Sequence, residues 1–284
     1  MTAEMSPPTP GCGFAAGGVH DTGVPDASLA EMADAATRDG RLAGLSDDEL
    51  IGVLGAWRRL ESWSSAGVLA AIAELARRRP ADGIPPAPPG QFPAQISEFA
   101  SDEVAAALTL TGPAAAVMSE VAVDLAVRLP GTFRAQHAGL IDYPRARLIA
   151  ELTRLLTDEQ ARQVEAKILP AAGGQTTGRL RAVLARAVIE VDPEAATRRR
   201  EEAQKDPRVR RWREDAGTAA LAGYCLPPAE VLAADQRLTG RALALRAAGL
   251  PGPLEELRAR AYLDALLGRD SASSANSTPA PRAD

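Results

Sequence analysis

Apolar residues recur at helical spacing along one stretch of the chain: Leu50, Leu54, Trp57, Leu60, Val68, Ile72 and Leu75. Steps of three and four dominate, which predicts a single long amphipathic helix over about residues 46–79. At 1.5 Å per residue it would span roughly 50 Å. Its start is marked by Ser46-Asp47-Asp48-Glu49, a capping box in which Ser46 accepts from the Glu49 amide and Glu49 reaches back. Arg77-Arg78-Arg79 then place cations at the negative end of the helix dipole, before Pro80.

Pro80, Pro85, Pro86, Pro88, Pro89 and Pro93 make the next segment a stiff loop or linker. Helical spacing resumes after Ser97 and predicts helices at about 101–109, 111–129, 132–138, 143–156, 158–169, 177–190 and 193–205. Thr157-Asp158-Glu159-Gln160 repeats the capping box. Asp192-Pro193 supplies an N-cap followed by a proline whose missing amide hydrogen costs nothing there. At Arg208 the period changes to alternation. Strands are expected at 208–213 and 218–225, joined by Glu214-Asp215-Ala216-Gly217. Helices follow from Pro227-Pro228 to Ala247 and from Gly252-Pro253 to Leu267.

Residues 1–25 and 271–284 are rich in Pro, Gly, Ala and Ser, carry no period, and are expected to be disordered. A short helix is expected between them and the long one, at about 26–38. The fold class is therefore mainly α: one multi-helix domain over 41–268, with a long N-terminal amphipathic helix and a small β-hairpin near the C-terminal third. Residues 1–40 form a largely disordered N-terminal segment and residues 269–284 a disordered tail.

Composition sharpens this picture. Apolar residues make up 46% but aromatics only 4%, and alanine carries much of the apolar share. That suits closely packed helices better than a sandwich of β-branched and aromatic strands. Residues 1–100 hold 7 basic and 13 acidic residues, whereas residues 101–284 hold 25 and 24. No domain-wide basic balance exists, so affinity for nucleic acid must come from a local patch. The two cysteines, Cys12 and Cys225, have no metal-binding or disulfide spacing and read as free thiols. No apolar run reaches membrane-spanning length, and no secretory signal opens the chain, so a cytoplasmic location and no membrane partner are expected.

Residues 197–213 carry the strongest local basic excess, eight basic against three acidic. Arg198, Arg199, Arg200, Arg208, Arg210, Arg211 and Arg213 could grip phosphates through their planar forks, and Trp212 could stack on a base. The bland alternative is a solvated face with Arg198 paired to Glu202, four residues on. Strand alternation sets Val209 and Arg211 on one face, Arg210 and Trp212 on the other. Ser101–Met118 has the layout of a helix-turn-helix with Thr111 capping the second helix. Gly112, Pro113, Ala114, Ala115 and Ala116 stand where base-reading side chains would be, so a structural helical hairpin is expected. His137 reads as a surface or capping residue, Glu120 and Asp124 as solvated carboxylates. No catalytic residue, metal site or cofactor is expected.

The ordered set of pieces over about residues 44–268 resembles the 13E12 repeat family, also known as domain of unknown function 222. The set runs from Leu45-Ser46-Asp47-Asp48-Glu49-Leu50 through Glu103–Leu108, Arg128-Leu129-Pro130 and Gly139-Leu140-Ile141 with Arg145-Ala146-Arg147. It continues through Leu169-Pro170 and Asp192-Pro193-Glu194-Ala195-Ala196 with Arg199 and Arg208-Val209, and closes at Leu257–Leu267. The resemblance implies an actinobacterial lineage and a domain that often precedes an HNH nuclease. Such a nuclease needs several histidines for its metal. Here there are two, His20 and His137, so the nuclease part is expected to be absent. The expectation is a non-catalytic accessory domain with weak, sequence-independent affinity for DNA backbone. The alternative is a helical interaction or oligomerisation module using 46–79, with self or a partner helix. A remnant nuclease comes last.

Overall fold

The computed structural model describes residues 13–88, 90–194, 197–198, 201 and 205–269. The fold is mainly α, and the chain divides into two compact units, Met1–Arg198 and Arg199–Asp284.

In the first unit, α1 (Ala27–Thr37) is capped by Asp26, whose carboxylate accepts from Leu29 N at 2.8 Å. Short 3-10 turns (Arg38–Gly44) lead into α2 (Asp47–Arg77), where Ser46 accepts from Glu49 N at 3.2 Å. Glu49 does not complete the box as expected. Its carboxylate is turned to the N-terminal segment, accepting from Phe14 N at 2.8 Å and Gly13 N at 3.3 Å. The Phe14 ring is fully buried with Leu29, Ala33, Val53 and Leu60. Residues 13–25, expected to be disordered, thus form turns clipped to the start of α2, and the buried ring is the physical reason. Residues 1–12 and 270–284, including Cys12, lie outside the described residues.

At the far end of α2 the arginine run is spent on ion pairs. Arg77 and Arg78 both bind Glu74, and Arg79 binds Glu103 at 2.7 Å. Hydrogen bonds from Arg77, then Arg78, hold the Glu74 carboxyl down to about 2. The proline-rich loop is clasped at its ends, with Ala81 N donating to Gln95 O and Ser97 N to Arg79 O.

Then follow α3 (Phe99–Leu108), α4 (Gly112–Val127), α5 (Pro130–His137), α6 (Tyr143–Thr153), α7 (Asp158–Ala172) and α8 (Thr177–Val191). The Thr157–Gln160 capping box is complete in both directions. α2 packs against α1, α3, α4, α5 and α6, and one core runs through Leu69, Leu125, Ile149, Val164, Leu180 and Leu184. Inside it, Glu165 accepts from Thr132 N at 2.6 Å, so a carboxylate of α7 caps the proline-led start of α5.

Asp192 ends α8, its N–H donating to Val188 O, while its side chain accepts from Glu194 N at 3.0 Å, as a cap for the next turn would. The helix expected at 193–205 falls largely on residues outside the described ones.

The second unit holds the antiparallel hairpin β1 (Arg208–Arg213) and β2 (Ala219–Tyr224), then α9 (Pro228–Ala247) and α10 (Leu254–Leu266). The two helices meet through Ala242, Leu245, Leu257 and Ala261. Arg258 ties them further by reaching Asp235 and Thr239. No single helix among the described residues is long and apolar enough to cross a membrane.

Candidate nucleic-acid interface

The chemistry of the hairpin follows from its register. Arg208 lies opposite Tyr224, Arg210 opposite Ala222, Arg211 opposite Leu221 and Trp212 opposite Ala220. Successive side chains of a strand point to opposite faces. Arg208, Arg210 and Trp212 therefore share one face with Tyr224, and Val209, Arg211 and Arg213 share the other with Leu221. Every residue of β1 is exposed. Arg210 and Arg213 face Ala222 and Ala219 on β2, too small to cover a guanidinium, whereas Arg208 faces Tyr224 and Arg211 faces Leu221. Tyr262 of α10 donates its hydroxyl to Leu221 O at 3.0 Å, which pins the middle of β2.

Partners divide the sequence-predicted arginines. Arg208 is bonded to Asp206. Among the described residues, Arg210, Arg211 and Arg213 lie in no ion pair. Arg198 belongs to the first unit and is bonded to Asp192, with Glu194 3.8 Å away. Its expected partner Glu202 lies outside the described residues, as do Arg199 and Arg200. The structure thus brings Arg208, Arg210, Arg211, Trp212 and Arg213 onto one hairpin and leaves Arg198 engaged elsewhere.

The expected helical hairpin has the geometry of a helix-turn-helix. The chain turns by 109° between α3 and α4, with Thr109 in the left-handed region at φ 54. Thr111 caps α4 through Ala114 N. The early turns of α4 carry only Gly112, Pro113 and alanines, so the geometry lacks base-reading side chains.

Glu120 is exposed, whereas Asp124 is half-buried. With Ser97, Ser101, Ser119 and Arg154 they line a cleft of ≈ 540 Å³ between α3 and α4, and Asp124 pairs with Arg128 at 3.1 Å. His137 is exposed, its ring 6.1 Å from Phe133.

Sequence reading missed Tyr224. The signal was present: counting back from the Glu214–Gly217 turn places Tyr224 opposite Arg208, on the Trp212 face.

The family described as "Domain of unknown function (DUF222)" matches the chain over residues 57–253, well over half its length. The chain belongs to this family. The match takes in most of α2, all of α3 to α8, the hairpin and α9. The family description assigns no activity. Neither a curated protein nor a solved structure matches the chain.

Proposed function

We propose that this chain is a non-catalytic accessory domain that holds nucleic acid by its phosphates through the 208–224 hairpin, without reading sequence. The observation that supports this reading is the state of Arg210, Arg211 and Arg213: exposed and in no ion pair among the described residues, with Arg210 and Arg213 facing only alanines. An arginine already matched to a carboxylate gains little from exchanging it for phosphate. A free guanidinium gains a charge-assisted, often bidentate contact. The absence of base-reading side chains at the start of α4 supports sequence independence.

The test is a binding titration with a fluorescent oligonucleotide in low salt, using the intact chain and the triple variant Arg210→Glu, Arg211→Glu, Arg213→Glu. Backbone binding predicts a loss of about a hundredfold or more. An unchanged affinity in a variant with an unchanged circular dichroism spectrum removes the hairpin from the account.

A second reading, a helix-mediated interaction module, draws support from Ile51 and Leu54 on α2, which stay 67% and 66% exposed. Much of α2 is packed within its own unit, and further along it Trp57 and Val68 also stay 40% and 36% exposed, available for a partner or a second copy. Light scattering on the intact chain and on Ile51→Lys/Leu54→Lys decides it: a monomer in both removes self-association.

A further inference from the structure

We infer that the Trp212 face of the hairpin selects single-stranded nucleic acid, with Trp212 and Tyr224 as stacking platforms for two separate unpaired bases. This rests on the phosphate-binding reading above and goes beyond it, because phosphates are common to single strands and duplexes.

The register sets both rings on one face of the two-stranded sheet, at opposite ends. They are large, yet Trp212 is 44% and Tyr224 40% exposed. Neither is spent on the small core of its unit, which is built from Ala242, Leu245, Leu257 and Ala261. Four residues along β1 at about 3.3 Å each, plus one strand spacing, place the two positions roughly 14 Å apart. Bases in a duplex stack at about 3.4 Å and present their edges, not their faces. Two exposed rings so far apart on one flat face cannot both find base faces in an intact helix. They can in an unstacked strand laid along the hairpin, where every base has a π-face.

The residues between the rings complete the arrangement. Arg210 sits on this face between Trp212 and Arg208, in no ion pair among the described residues, and can take a phosphate between the two stacked bases. Alternating aromatic and cationic positions are what a sequence-tolerant single-strand platform needs. The opposite face, with Val209, Arg211, Arg213 and Leu221, carries charge but no aromatic ring.

The experiment compares three fluorescent probes on the intact chain in low salt: a 20-nucleotide oligothymidine, a duplex of the same length, and a 20-unit abasic strand with the same phosphates. The oligothymidine should bind at least tenfold tighter than either of the others. Trp212→Ala and Tyr224→Ala should each weaken oligothymidine binding about 5- to 150-fold and leave duplex binding within twofold. Trp212→Phe and Tyr224→Phe should retain most of the affinity, which separates stacking from hairpin collapse. Equal binding of all three probes overturns the stacking inference and leaves the phosphate reading standing. No binding of any probe overturns both.

Discussion

Arg198 meets Asp192 with both terminal nitrogens of its guanidinium, Nη1 lying 3.3 Å from Oδ1 and Nη2 bonded to Oδ2. The bond closes the chain back on the end of α8, and it takes the first arginine of the basic run out of the set available to phosphate. Arg198→Ala should therefore change oligonucleotide affinity by less than about twofold, since an already paired fork offers no new contact. The same titration run on the hairpin variants supplies the comparison. A drop as large as that of Arg210→Ala would place Arg198 in the interface.

Gly52 and Phe14 define the docking of the N-terminal segment. A Cβ added at Gly52 would lie 1.8 Å from Phe14 O, an impossible approach that only displacement of the segment relieves. Gly52→Ala should destabilise the first unit by ~1–3 kcal/mol, in the range of core overpacking. Chymotrypsin should then cleave after Phe14 much faster than in the unmodified chain. Unchanged melting and unchanged cleavage would show that the segment is not held there.

Glu165 is a buried carboxylate with a structural task. It caps α5 through Thr132 N, and a Cβ at Gly131 would come within 2.7 Å of its Oε2. Glu165→Ala should cost ~1–3 kcal/mol by leaving the Thr132 amide buried and unmatched. Denaturant unfolding measures it, and Glu165→Gln, which keeps an acceptor, should recover part of the loss.

Glu74 sets a pH dependence. Its carboxyl is lowered from 4.5 to about 2 by hydrogen bonds from Arg77, then Arg78. A depressed folded value means the unfolded state binds the proton more readily. The stabilisation is therefore present above about pH 4.5 and fades as pH falls toward about 2. Glu74 is at the surface, so the effect is small and screened by salt. Glu74→Gln should flatten the fall in urea midpoint across that window. An identical acid limb would contradict the pairing.

Local signals were the legible ones. Ser46, Thr111 and Thr157 each announce a helix start within four residues, and each accepts the expected amide. The hairpin was legible because Gly217 and the alternation around it are also local. What the chain did not disclose is tertiary. Phe14 sits among glycines with no period, and only the distant apolar wall of Leu29, Val53 and Leu60 gives it a place. Glu49 has the spacing of a capping box, but the Gly13 and Phe14 amides compete for the same carboxylate. In the candidate site, the exposed arginines were legible as a charge run. Which of them are free was not, because Asp192 and Asp206 claim Arg198 and Arg208 through geometry.

Salt decides the central claim. The logarithm of the oligothymidine affinity should fall linearly with the logarithm of salt concentration. Three phosphate contacts from Arg210, Arg211 and Arg213 give a slope of about −2 for a single strand. The triple glutamate variant should bring that slope near zero. A flat line for the unmodified chain, or the same steep slope in the variant, would contradict phosphate binding by this hairpin.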